Sequence, residues 1–206
     1  MKNKIFVALS TFGEYGKEPI DLLKNSEFDY KINTLNRRLV KKEIIEMAQE
    51  SIGIIAGVEP YDKEVFEGIP NLKCISRAGV GIDNVDIKYA NKYKITICNT
   101  PDVVIRPVAE LALAMIFDIL RKTTFHTILL KKQIWKKSAG NLLLNRNVGI
   151  IGTGKIGKLV GELLVKLGAN VIANDIVQDN KWAEKNKVQY CSFQELLSKS
   201  EIISIH

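Results

Sequence analysis

Three glycines and one acid carry the clearest chemistry in the chain. Gly152, Gly154 and Gly157 fall at the G-x-G-x-x-G spacing, directly after the apolar run Val148-Gly149-Ile150-Ile151. The first glycine lets the chain turn sharply out of a strand. The second lets the backbone approach a pyrophosphate, and the third lets the following helix pack close to the strand. A helix opening there points free N–H groups and the positive end of its dipole at the phosphates. Asp175 follows a second apolar run, Val171-Ile172-Ala173, and lies 18 residues after Gly157. That is close to the offset of about 20 at which a strand-end carboxylate accepts hydrogen bonds from ribose hydroxyls. The pattern points to a dinucleotide, and to NAD over NADP, because Asp175 repels a 2′-phosphate and no arginine follows in Ile176-Val177-Gln178.

A second constellation is Arg77-Ala78-Gly79-Val80-Gly81-Ile82-Asp83-Asn84. Two glycines after a strand can expose successive backbone N–H groups, an anion-binding nest suited to a carboxylate, with Arg77 adding charge. The same residues also suit a tight turn with an asparagine cap, and the loop alone leaves both readings open.

The elements that must position these groups alternate. Strand-like runs are Ile5–Leu9, Tyr30–Asn33, Ile52–Ala56, Leu72–Ser76 and Ile95–Cys98; helical runs are Pro19–Lys24, Val40–Ala48, Asp62–Glu67 and Val85–Tyr93, the last capped by Asn84. Such alternation implies a parallel sheet with right-handed crossovers, so residues 1–100 read as one flavodoxin-like α/β unit. Pro101 marks the boundary. From Arg106 to Lys122 runs a long helix whose apolar stripe, Val108, Leu111, Ala112, Met115, Ile116 and Ile119, is widened by Ala109, Ala114 and Leu120. A helix this apolar needs a partner surface. Thr123–Asn147 reads as a polar, basic excursion. The glycine turn then opens a doubly wound parallel (Rossmann) domain: strand 148–151, a helix Lys158–Leu167, strand 171–174, a helix Lys181–Lys185, a strand near 187–190, a helix Ser192–Leu197 with a capping-box pattern, and a strand from Ile202.

Composition excludes several classes. Hydrophobic residues make up 46% and charged residues 26%, an ordinary globular balance, and no apolar run approaches the roughly 20 residues of a membrane span. Met1-Lys2-Asn3-Lys4 leads into a strand-like run without a signal-peptide pattern. The net charge of +7 comes without a nucleic-acid recognition motif and reads either as a solvated lysine face or as attraction for an anionic substrate and cofactor. Cys74, Cys98 and Cys191 lack metal spacing and read as buried small hydrophobes in a reducing, cytoplasmic setting; no metal site is expected.

Taken in order, Asn71-Leu72-Lys73 with Arg77–Asp86, Asn99-Thr100-Pro101, Pro107–Leu111, Trp135, and Val148–Gly157 with Asp175 resemble the D-isomer-specific 2-hydroxyacid dehydrogenase family, in particular its phosphoglycerate dehydrogenase-like branch. The resemblance covers essentially the whole chain. It implies a substrate domain over 1–100, an NAD-binding domain over 101–206, and a small anionic 2-hydroxy or 2-oxo acid as substrate. It places Gly79 and Val80 at the substrate carboxylate, Val108 at the nicotinamide pocket, the Lys155 and Ile156 backbone at the pyrophosphate, and His206 beside the adenosine ribose. It makes the 106–122 helix the builder of a homodimer. Asp102, Gln133 and Asn145 stand where the family usually carries glycines. Gly57-Val58 occupy a place where some phosphoglycerate enzymes carry a phosphate-binding arginine. The family's catalytic arginine, acid and histidine are expected beyond residue 206, leaving no catalytic residue in this chain, which then reads as an N-terminal portion. His126 lies outside the matching motifs and reads as a solvated histidine. A non-catalytic NAD-binding or dimerising protein is the alternative reading of the same residues.

Overall fold

The computed structural model describes residues 3–206; Met1 and Lys2, half of the N-terminal stretch read above as leaderless, lie outside them. The chain divides into two compact units, one ending at Val104 and one beginning at Ile105.

The first unit contains β1 (Lys4–Val7), α1 (Glu18–Lys24), β2 (Asp29–Ile32), α2 (Lys41–Ala48), β3 (Ser51–Ala56), α3 (Lys63–Gly68), β4 (Cys74–Arg77), α4 (Ile87–Lys92) and β5 (Thr96–Asn99). Its strands pair in parallel in the order β2-β1-β3-β4-β5, the flavodoxin-like order. A parallel sheet is covered on both faces, so its central strands carry apolar side chains toward both. Phe6, Val7, Ala8, Ile54, Ala56 and Ile75 are all buried. Each large side chain among them contributes about 1.5–3 kcal/mol by leaving water.

Asn84 does not cap a helix. Asp86 caps α4, accepting from Tyr89 N–H. The Asn84 amide instead donates to the carbonyls of Gly57 and Glu59, at 3.2 and 2.6 Å. These long-range bonds tie the loop after β3 to the loop after β4, and an isolated parallel bridge, Tyr61 to Val85, continues the tie. The cysteine expectation also fails: Cys98 is exposed and Cys74 half-buried, because β5 is an edge strand, and Cys191 lies half-buried beyond β8.

The second unit contains α5 (Ile105–Arg121), α6 (Thr123–Lys131), β6 (Asn147–Ile151), α7 (Lys155–Lys166), β7 (Asn170–Asn174), α8 (Asn180–Lys185), β8 (Gln189–Tyr190), α9 (Phe193–Lys199) and β9 (Ile202–Ile205). Its sheet is parallel in the order β8-β7-β6-β9, the first four strands of the doubly wound arrangement. Two boundaries differ from expectation. The stretch read as an excursion opens with α6, since Thr123-Thr124 satisfy the Asp118 carboxylate and restart the helix after Lys122 turns left-handed at φ 56°. The helix after the glycine turn starts at Lys155, three residues early, because the turn itself supplies its N-cap at Gly154.

Helix α5 buries Ala109, Ala112, Ile116 and Leu120, and its main neighbour is α7. The expected stripe therefore divides. Val108, Leu111, Met115 and Ile119 lie on a different face and are exposed, Ile119 by 68%. Among the described residues no helix is long and apolar enough to cross a membrane.

Candidate functional site

Register brings the predicted cofactor residues to one edge. Ile151 in β6 is level with Asn174 in β7 and Ile205 in β9, so Gly152, Asp175 and His206 leave the sheet together at its carboxyl end. Gly152 takes φ +92°, a left-handed value that favours glycine. A Cβ there would overlap the His206 carbonyl oxygen, and one on Gly157 would overlap the Gly152 carbonyl oxygen. A Cβ on Gly154 would meet nothing within 4 Å. Two of the glycines are thus demanded by the protein's own packing, and the third borders open space at the N-terminus of α7.

Asp175 faces the same turn. Its Oδ2 accepts from Thr153 N–H at 2.5 Å and from the Thr153 hydroxyl at 3.1 Å, and its Oδ1 accepts from Val177 N–H at 3.0 Å. Three of a carboxylate's roughly four acceptor positions are filled with good hydrogen-bond geometry, which leaves one on Oδ1, although the Ile176 N–H also lies close enough to favour the charged form. These donors, Val177 N–H first and Thr153 N–H next, hold the Asp175 carboxyl below its usual range. Thr153, Gly154, Lys158 and Asp175 line one open hollow with residues 176–181. Lys158 pairs with Asp179 at 2.5 Å and lies over the Trp182 ring. Lys155 is exposed at the first position of α7, Ile156 is half-buried beside it, and His206 donates its ring or accepts at Ser204 Oγ, 2.9 Å away. Burial pushes the His206 ring below its usual pKa.

In the first unit the loop after β4 is built as a turn held from β5. Gly79, at φ +139°, donates its N–H to Thr100 Oγ1 at 2.7 Å and accepts from Thr100 N–H at 3.0 Å. Asn99 donates to the Val80 carbonyl at 2.7 Å. Gly79 N–H is therefore used within the protein. Among the described residues Val80 N–H makes no hydrogen bond, and Val80 is exposed. Arg77 folds over Gly79, where any Cβ would strike its guanidinium, and donates to the Ala78 carbonyl at 3.0 Å. Its Nε is buried without a partner. One backbone N–H and one orphaned guanidinium N–H thus sit on the same short loop. A separate hollow between Lys4, Glu50, Lys73 and Tyr93 lies at the amino ends of the strands, away from where open α/β sheets bind ligands.

The chain matches the family described as D-isomer specific 2-hydroxyacid dehydrogenase, catalytic domain, over residues 7–200. The chain belongs to this family. Among its relatives, the D-3-phosphoglycerate dehydrogenase of Mycobacterium leprae is 34% identical over 155 residues, 74% of this chain and 29% of that protein. The hydroxypyruvate reductase of Thermotoga maritima is 31% identical over 193 residues, 92% of this chain and 61% of that protein. The NAD+-bound 3-phosphoglycerate dehydrogenase of Entamoeba histolytica superposes with a TM-score of 0.74 at 27% identity, covering 100% of this chain and 63% of that structure. The chain thus spans less than two thirds of the length of these 2-hydroxyacid dehydrogenases.

Against that family background, several polar residues stand out that sequence reading passed over. Thr153 is buried inside the glycine turn, and Thr100, part of the Asn99-Thr100-Pro101 motif, grips Gly79; neither side chain is assigned a role by the sequence pattern. Tyr190 closes on the Thr153 hydroxyl at 2.7 Å. Nothing local signals these contacts, which join residues 21 to 37 positions apart. His126, read as solvated, is half-buried, with Nε2 at 3.0 Å from Ser138 Oγ and its ring edge-on to Phe125. Among the described residues no group of three or more His, Cys, Asp or Glu could hold a metal ion.

Proposed function

We propose that this chain supplies the nucleotide-binding turn and the carboxylate-binding loop of an NAD-dependent oxidoreductase acting on the CH–OH group of a D-2-hydroxy acid. The observation that carries this reading is the contrast at the glycines: Gly152 and Gly157 are required by neighbouring backbone, whereas Gly154 borders open space. An absent side chain that no protein atom demands is explained by a ligand, and the N-terminus of α7 suits a pyrophosphate.

In this reading the backbone at Lys155 and Ile156 meets the pyrophosphate. The open position on Asp175 Oδ1 accepts a ribose hydroxyl, with His206 nearby on the same sheet edge. Val108 lines the nicotinamide pocket. The Gly79–Val80 turn, through its unused Val80 N–H, receives the carboxylate of a small 2-hydroxy or 2-oxo acid, and Arg77 adds positive charge. NAD, when bound, supplies the carbon that exchanges hydride with the substrate. The arginine, acid and histidine implied for polarising the oxygen and moving the proton match no residue here, so these residues bind and orient. The exposed face of α5 builds a homodimer, and the free cysteines suit a cytoplasmic protein.

Calorimetric titration of residues 1–206 with NADH and ADP-ribose tests the nucleotide part. Binding in the micromolar range is expected, and its absence refutes the reading. Turnover of the full-length protein with a panel of 2-oxo acids and NADH tests the reaction.

A further inference from the structure

Asp179 N–H can only donate, and it donates to the Tyr190 hydroxyl oxygen at 3.2 Å. The ionised Asp175 can only accept, so the Thr153 hydroxyl donates to it at 3.1 Å. Tyr190 and Thr153 share the remaining bond, at 2.7 Å. Thr153 has spent its proton on Asp175, so the phenol must donate and the threonine accept. Every proton in the chain Asp179 N–H, Tyr190 O–H, Thr153 O–H, Asp175 is thereby fixed in one direction, and each bond polarises the next toward the carboxylate.

The surroundings hold this chain in place. Tyr190 lies in β8, level with Ala173, two residues before Asp175. Its ring is tilted against Trp182 at 6.4 Å between centroids, and Trp182 Nε1 donates to Glu162 of α7 at 2.8 Å. Asp179 caps α8 through Trp182 N–H at 3.0 Å and holds Lys158 with its other oxygen. Strand β8 is only two residues long, yet it places the Tyr190 hydroxyl against Thr153 inside the glycine turn.

We propose that Tyr190 is a positioning residue for the nucleotide ribose: acting through the Thr153 hydroxyl, it fixes the Asp175 carboxylate so that its one open acceptor position on Oδ1 meets the 2′-hydroxyl. This rests on the dinucleotide reading above. Tyr190 touches no ligand in this account. Its effect is confined to the recognition of one hydroxyl, which separates it from a residue that merely supports the fold.

The test is calorimetric titration of the 206-residue chain with ADP and 2′-deoxy-ADP. Wild type is expected to prefer ADP by about tenfold, the worth of one hydrogen bond to a charged acceptor. In Tyr190→Phe that preference should fall to about threefold or less, with 2′-deoxy-ADP affinity changed by less than about twofold. A phenylalanine variant that keeps the full preference, or weakens both ligands equally, overturns the proposal. Should Tyr190→Phe fail to fold, Thr153→Val and Thr153→Ser decide: valine must lose the preference and serine must restore it. A wild-type chain that binds ADP but ignores the 2′-hydroxyl overturns this proposal alone. A wild-type chain that binds neither nucleotide overturns the dinucleotide reading with it.

Discussion

The carbonyl oxygen of His206 stands where a side chain on Gly152 would have to go. The two residues leave neighbouring strands at the same level, and the His206 N–H is held by the Ile151 carbonyl at 2.9 Å, which keeps the His206 backbone beside the turn. Gly152→Ala combines a left-handed backbone with this overlap and should destabilise the second unit by about 2–4 kcal/mol in urea denaturation. Gly154→Ala is the control. Its backbone is extended at φ −65° and its Cβ has room, so only the weaker N-cap preference of alanine is lost, stability should fall by no more than about 1 kcal/mol, and NADH affinity should drop at least about tenfold. Equal stability losses for the two variants would refute this division of roles.

Asp175 is expected to set both coenzyme choice and an acid limit. Val177 and Thr153 N–H groups favour its charged form, so its folded-state pKa lies below the ordinary value. A lowered value means that its contribution is complete above the unfolded pKa of about 3.9 and is lost as the pH falls through the lower folded value. ADP affinity should therefore be flat from about pH 5 to 8 as far as this group is concerned, declining only in acid, and Asp175→Asn should remove that decline. The same substitution should narrow the preference for NADH over NADPH, measured on the full-length protein. A tighter NADPH complex in the wild type would contradict the assignment.

The second apolar face of α5 predicts self-association. Leu111, Met115 and Ile119, beyond Val108, form an exposed stripe beside the buried one, and a continuous apolar stripe is costly to leave in water. Sedimentation of the full-length protein should show a dimer, and Met115→Glu should shift it toward monomer without lowering its melting temperature by more than a few degrees. A wild-type monomer would remove this interface.

A polypeptide of residues 1–206 should bind ADP-ribose yet leave 2-oxo acids unreduced by NADH. Loss of general acid–base catalysis alone costs about 10²–10⁴ in rate, before the loss of oxygen polarisation. A stopped-flow assay at 340 nm reads the outcome. Turnover within about tenfold of a full-length relative would show that the proton-transfer group lies among these residues after all.

How much of this was legible beforehand follows from the range of each interaction. The glycine turn, the terminal acid and the alternation of strand and helix are local patterns, because chain reversal and periodicity depend on residues a few positions apart. They sufficed for both sheets, and the ordered motifs sufficed for the family. Tertiary structure alone decided which polar groups are already spent. Thr100 takes the Gly79 N–H that a ligand was expected to use, and Asn84 leaves its helix end to bridge Gly57 and Glu59. The apolar excess of α5 divides into a buried and an exposed face only once α7 packs against it. Thr153 and Tyr190 look like spacers until β8 is laid beside β7 and their hydroxyls meet. A hydrogen bond is specified by two partners at about 3 Å, and partners brought together from distant positions leave no periodic trace in the chain.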